Sequence, residues 1–203
     1  MIRRKFSAGL IACMLMLAPL VHAESTPDTL VANATQEILA LLKEKKALYQ
    51  SDKKNLYQMV DEKILPYFDF RKMSQSALGR FWRDASDAQK EAITNEFRQL
   101  LVRTYASALL GYSGQEIQYL PVQYRQGDNR VMVPTRISSQ SAPPIPVNYR
   151  LTLNDARWMV YDVIIDGVSL ITNYRSQFAN EVRRGGIDGL ISSLADMNGK
   201  VGK

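Results

Sequence analysis

The sequence predicts an α+β domain in which helices gather on one concave face of an antiparallel sheet of about four strands. Two observations carry this. From Glu24 to about Gly114 apolar residues recur with the period of a helix, from Gln115 to about Asp166 with a period of two, and afterwards with the helical period again. Each helical stretch is apolar along one stripe only, so it must cover a partner, and the sheet is the partner available.

The elements follow in order. Thr26 and Pro27 mark an N-cap and first helical position, and the stripe behind them is Leu30, Ala34, Ile38, Leu41 and Leu42. A second helix opens near Ser51 or Asp52, carries Leu56, Met59, Val60 and Ile64, and stops before Pro66. A short third follows Asp69, with Phe70, Met73, Ala77 and Leu78 on one face and Gly79 as terminator. Ser86 and Gln89 have the spacing of a capping box for a fourth, whose face is Ile93, Phe97, Leu100, Leu101, Tyr105 and Leu109, with Gly111 ending it.

Strands are expected over 116–124, 130–138, 145–153 and 157–165. Val131, Val133, Thr135 and Ile137 alternate with Met132, Pro134 and Arg136, and Val147, Tyr149, Leu151 and Leu153 with Asn148, Arg150 and Thr152, so one face is dry and the other nearer water. The last strand is apolar on both faces, as a central or strongly curved strand would be. Helix resumes after Gly167 through Tyr174 and Phe178, breaks at Gly185 and Gly186, and ends with Ile187, Leu190, Ile191 and Leu194 on one face. The end, from about Asn198, is expected to fray.

A chain of 203 residues, 46% apolar and 23% charged, suits one domain. Arg3, Arg4 and Lys5, an apolar run from Phe6 to Val21 and the small-residue pattern Val21-His22-Ala23 predict a secretory signal peptide over 1–23, cut after Ala23. Leu10-Ile11-Ala12-Cys13 has the look of a lipoprotein box, but the apolar run continues past Cys13. The expected organisation is therefore a signal peptide, a single domain over 24–198 and a flexible tail over 199–203. Cleavage removes the only cysteine and the only histidine. A mature chain of that kind holds no Cys/His zinc site, Cys nucleophile, Ser-His-Asp triad or disulfide. The net charge of +6 falls to about +3 with the three leading basic residues gone, too little and too scattered for nucleic acid.

The remaining acid–base groups are carboxylates, Tyr and Lys. Asp69, Asp162 and Asp166 lie near turns or strand ends, where a pair could act as acid and base. The plainer expectation is that Asp69 caps a helix and that Asp162 and Asp166 meet arginines such as Arg175. Lys43, Lys45, Lys46, Lys53, Lys54, Arg183 and Arg184 read either as solvated helix faces or as contacts to anionic head groups. The apolar inventory could fill a core or line a ligand pocket.

Two ordered signatures add to this. Leu65-Pro66-Tyr67-Phe68-Asp69-Phe70, then Met73-Ser74, Leu78-Gly79, Trp82-Arg83 and Gln89, resemble the central signature of the MlaC, or toluene-tolerance, family. Asp166-Gly167-Val168-Ser169-Leu170, then Asn173-Tyr174-Arg175 and Gln177-Phe178, resemble its second. The resemblance spans essentially the whole mature chain. It implies a fold related to NTF2, with a deep apolar cavity between helices and a curved sheet. It further implies a periplasmic phospholipid carrier in Gram-negative bacteria that helps maintain outer-membrane lipid asymmetry, with acyl tails enclosed and the head group outside. Its partners would be a lipoprotein–porin complex at the outer membrane and an ABC-transporter complex with an MCE protein at the inner membrane. Diacyl phospholipid would be cargo, with no cofactor or metal, no catalytic residue and a monomeric state.

The chemistry is consistent with that implication. A diacyl lipid has about 30 methylenes, each costing about 0.8 kcal/mol to expose to water, so free release would cost over about 20 kcal/mol. A shuttle must enclose the tails, and apolar walls suffice. The expected wall uses Val131, Val133, Val147, Tyr149, Leu151, Val163 and Ile165 from the strands and Phe97, Leu101, Tyr105 and Leu109 from the long helix. Val168, Leu170 and Ile171 would stand near the mouth, while Trp82 and Phe70 lock helix packing. Two other readings stay open: a binding module for a different apolar molecule, and an NTF2-like enzyme using Asp162 or Asp69 with a tyrosine.

Overall fold

Capping and glycine chemistry set the helix limits. The computed structural model describes residues 26–125, 127–139 and 142–201; the expected signal peptide and residues 202–203 lie outside them. Helix α1 spans Pro27–Ser51 with Thr26 in the N-cap position. The Thr26 hydroxyl meets that of Thr29 at 2.8 Å instead of capping the backbone. A non-helical Lys45 kinks α1. Asp52 ends it and opens α2 (Lys53–Lys63), accepting from the Lys54 amide at 2.8 Å.

A 3₁₀ turn over Leu65–Tyr67 brings Phe68 beside the sheet, where it bridges to Val160 and the Asp69 amide donates to the Val160 carbonyl at 2.9 Å. Asp69 caps α3 (Phe70–Leu78) by accepting from the Lys72 amide at 2.8 Å, and Gly79 stops it at a φ of 61°. The capping box forms at α4 (Asp87–Leu109): the Gln89 amide donates to Ser86 Oγ at 3.2 Å and the Ser86 amide to Gln89 Oε1 at 3.0 Å.

Five antiparallel strands then run in chain order across one sheet: β1 (Glu116–Tyr119), β2 (Arg130–Ser138), β3 (Ile145–Asn154), β4 (Arg157–Ile165) and β5 (Val168–Ser169). β1 is shorter than the sequence pattern suggests because Pro121 has no N–H to continue the ladder. β5 has two residues, too few to show a period. The register shifts between Arg150 and Leu151, so Leu151 faces Val160 whereas Tyr149 faces Val163. This bulge puts Trp158, Val160, Val163 and Ile165 on one face although they do not alternate strictly, which explains why β4 reads as apolar on both sides.

Helix α5 (Leu170–Val201) breaks at Gly186, where φ is 69° and ψ −171°. Its end does not fray at Asn198 as expected. Asn198 is 4% exposed and its side-chain amide donates to the Glu96 carbonyl at 3.0 Å, so helix runs on to Val201. Arg175 also differs from expectation: its Nε donates to the Ser76 carbonyl at 2.8 Å, and Asp162 pairs with Arg150 instead.

Three apolar clusters hold the layers together. In the first, Phe97, fully buried, meets Tyr174 and Phe178 edge-on at 4.9 and 5.0 Å, joining α4 to α5, with Met73, Trp82, Leu190 and Leu194 around them. A second joins α1, α2 and α4 through Leu42, Leu56, Met59 and Ala106. The third joins the sheet to the start of α1 through Val31, Val133, Leu151 and Val160.

Candidate functional site

The second and third clusters do not meet. Between them lies a cavity of about 490 Å³, within the usual range of small-molecule sites. Its longest wall is α1, through Leu30, Val31, Ala34, Thr35, Ile38, Leu39 and Leu42. These fall at helical spacing, so one face of about 18 Å runs along the cavity. Ile64, Tyr67 and Phe68 close one side, and Ala108 and Leu109 at the end of α4, with Gly111, Tyr112 and Gln115 after it, form an end. The sheet contributes Ile117, Ile137, Tyr149 and Val160. Ile38, Leu39, Ile64, Phe68, Ile117 and Ile137 are only partly buried, as expected of side chains that face an open cavity.

Of the residues expected to form the wall, Leu109 and Tyr149 line this cavity. Val131, Val133 and Leu151 pack into the sheet cluster with Val163 against them, and Val147 is buried beside Thr135, whose hydroxyl donates to its carbonyl at 2.6 Å. Phe97, Leu101, Tyr105 and Ile171 belong to the α3–α4–α5 cluster. Leu170 is half-buried at the start of α5, while Ile165 and Val168 are 39% and 59% exposed at the β4–β5 turn. The α1 stripe is the part that reasoning from strand faces missed. Its signal was present in Leu30, Ala34, Ile38 and Leu42, which only needed a cavity rather than a core opposite them.

The electrostatics are those of an apolar site. Burial pushes the Tyr149 phenol up to about 12, with the neighbouring Tyr119 phenol as the smaller cause. Neither Asp69 nor Asp162 lines the cavity. Asp69 is used at the α3 cap and accepts a hydrogen bond from the Asn154 amide. Asp162 is 1% exposed and accepts from Arg150, from the Ser169 hydroxyl at 2.7 Å and from the Ile171 amide at 3.1 Å. A carboxylate held that way is a structural joint between β4 and α5. Among the described residues no group of three His, Cys, Asp or Glu could hold a metal ion, and no helix is long and apolar enough to cross a membrane.

Comparison with known proteins agrees with this architecture. The family model described as "MlaC protein" matches residues 32–196. The toluene tolerance protein ttg2D of Pseudomonas putida is 29% identical over 196 residues, covering 96% of this chain and 90% of that protein. The intermembrane phospholipid transport system binding protein MlaC of Haemophilus influenzae is 27% identical over 179 residues, covering 85% and 82%. A solved structure, the phospholipid-binding protein from Ralstonia solanacearum in complex with a phospholipid, superposes with a TM-score of 0.80 at 34% identity, over 89% of this chain and all of that one. With the match extending from α1 to α5, the chain belongs to the MlaC family.

Proposed function

We propose that this protein is a periplasmic phospholipid carrier. The observation that carries the reading is the apolar cavity, walled by α1 and the sheet and free of carboxylates along its lining. Its α1 wall of about 18 Å is comparable to the ~15 Å that the tails of one leaflet occupy. The Haemophilus relative's name and the phospholipid in the Ralstonia structure support diacyl phospholipid as cargo. The tails lie inside and the head group stays outside, so the carrier contributes a dry container and no chemical step. Loading and release take place while docked, because a tail leaving into water alone faces the cost estimated above. The two complexes it docks to are a lipoprotein–porin complex at the outer membrane and an ABC transporter with an MCE protein at the inner membrane. The leader sequence supports the periplasm as the compartment.

Native mass spectrometry of mature protein taken gently from a Gram-negative periplasm, with lipid extraction alongside, tests this. The expected result is a mass increment that fragments to diacyl phospholipid. A different apolar molecule in its place makes the protein a binding module of another kind. A bare protein that takes up no lipid from liposomes, even beside its membrane complexes, overturns the carrier reading.

A further inference from the structure

Tyr149 is one of four hydroxyl-bearing side chains, with Thr35, Tyr67 and Tyr112, in a cavity lining that is mostly hydrocarbon, and the one that stands on the sheet. Its ring stands on the cavity face of β3, opposite Val133 on one side and Val163 on the other, and lines the cavity together with Ile137 and Val160. The surface it keeps therefore faces the cavity. Among the described residues no side chain or backbone group hydrogen-bonds its hydroxyl, and that hydroxyl is not among the buried polar atoms left without a partner, so water in the open cavity reaches it. Gln115, another polar side chain of the lining, is already committed: its Oε1 accepts from the Ser113 amide at 2.8 Å. A tail that displaces that water leaves the phenol O–H unpaired, which is unfavourable, so a ligand that brings an acceptor gains over one that brings only methylenes.

We infer that the Tyr149 hydroxyl donates a hydrogen bond to an ester carbonyl oxygen of the bound diacyl phospholipid. This rests on the carrier reading. Each tail of such a lipid ends at a carbonyl that water solvates in a bilayer and loses when the tail is drawn into a protein. The donor on β3 replaces that water, so the cavity senses the ester junction of its cargo as well as the fit of its tail. A plain hydrocarbon cannot supply the acceptor.

The experiment compares loading of ester-linked phosphatidylethanolamine with its diether analogue of the same chains, offered in vesicles to the wild type, Tyr149→Phe and Tyr119→Phe. The wild type and Tyr119→Phe are expected to favour the ester about three- to tenfold, the range of one neutral hydrogen bond. In Tyr149→Phe the ester-to-ether ratio falls to about one, because the ether no longer leaves a phenol unpaired while the ring and its packing remain. A wild-type ratio of one, as a water held by Tyr149 in place of the carbonyl would give, overturns the inference and leaves the carrier intact. So does an ester preference that survives in Tyr149→Phe. If neither lipid enters any of the three proteins, the carrier reading falls and this inference falls with it.

Discussion

Arg150 reaches across from β3 to Asp162 on β4, Nη1 to Oδ2 at 3.1 Å, with the guanidinium half exposed and the carboxylate buried. The pair sits beside the bulge, and the same carboxylate also takes the Ser169 hydroxyl and the Ile171 amide. Asp162 thus ties the bulge, β5 and the first turn of α5 into one joint. Replacing it strands three donors, two of them from outside the ion pair.

Asp162→Ala is therefore expected to lower unfolding stability by about 2–3 kcal/mol, the scale of charge-assisted hydrogen bonds whose cationic partner can rehydrate. Lipid carried per folded molecule stays the same, because Asp162 is not on the cavity lining. Urea unfolding and quantification of co-purified lipid measure the two effects separately. A folded, stable variant that has lost only its function would return the carboxylate to consideration as a working group.

Filling the cavity separates its walls from the core behind them. Ile38 on α1 is half-buried and lines the cavity, so Ile38→Trp projects into space that cargo would occupy. Co-purified lipid should fall several-fold while stability changes by less than about 1 kcal/mol. Val147 is 6% exposed and, although on the same face of β3 as Tyr149, is packed outside the lining, so Val147→Trp overpacks the sheet and should cost about 1–3 kcal/mol. If Val147→Trp instead emptied the cavity without destabilising the protein, the cargo would reach further along β3 than this wall allows.

That contrast also marks the limit of what sequence showed. The Ser86 and Gln89 capping box, the break at Gly186 and the alternation of β2 and β3 are local chemistry, and they are legible residue by residue. The partner of each apolar face is not local. Phe97 and Leu101 sit on a stripe as regular as that of α1, yet α5 fills the space in front of them, while the space in front of Ile38 and Leu39 stays open. Periodicity reports that a face is dry and says nothing of whether protein or ligand keeps it so. The β4 bulge is invisible for a related reason: a one-residue slip is set by pairing with β3, and it moves Val160 and Val163 onto one face against the period of two.

The Tyr149 phenol gives the protein an alkaline signature. Its ionisation rises from an ordinary 10.0 to about 12 in the folded state, because burial disfavours the phenolate. The unfolded chain therefore loses this proton first as pH rises. The contribution is fully present below about pH 10 and is lost progressively between about pH 10 and 12, to a total of about 2–3 kcal/mol. Burial, followed by Tyr105, raises Tyr174 as well, so the wild type has a second late phenol that Tyr149→Phe retains. Unfolding free energies of the two proteins should run parallel below about pH 10 and converge or cross above it, with the wild type falling faster. Parallel curves throughout would mean that Tyr149 ionises as a solvated phenol.

Loading two tails side by side is expected to move a wall of the cavity, and α1 is the wall most free to do so. Its lining stretch, Leu30 to Leu42, ends just before the kink at Lys45, while the α4–α5 side is locked by Phe97 between Tyr174 and Phe178. Opening should therefore turn α1 about Lys45 and leave α4 and α5 in place. Hydrogen exchange is the direct measurement. Amides of Val31–Leu42 should exchange faster in the empty protein than those around Phe97. Loading a diacyl lipid should change exchange in that α1 stretch more than loading a single-tailed lysophospholipid, with the Phe97 region unmoved by either. Equal responses to the two lipids would mean that the second tail stays outside the cavity and that α1 has no opening to make.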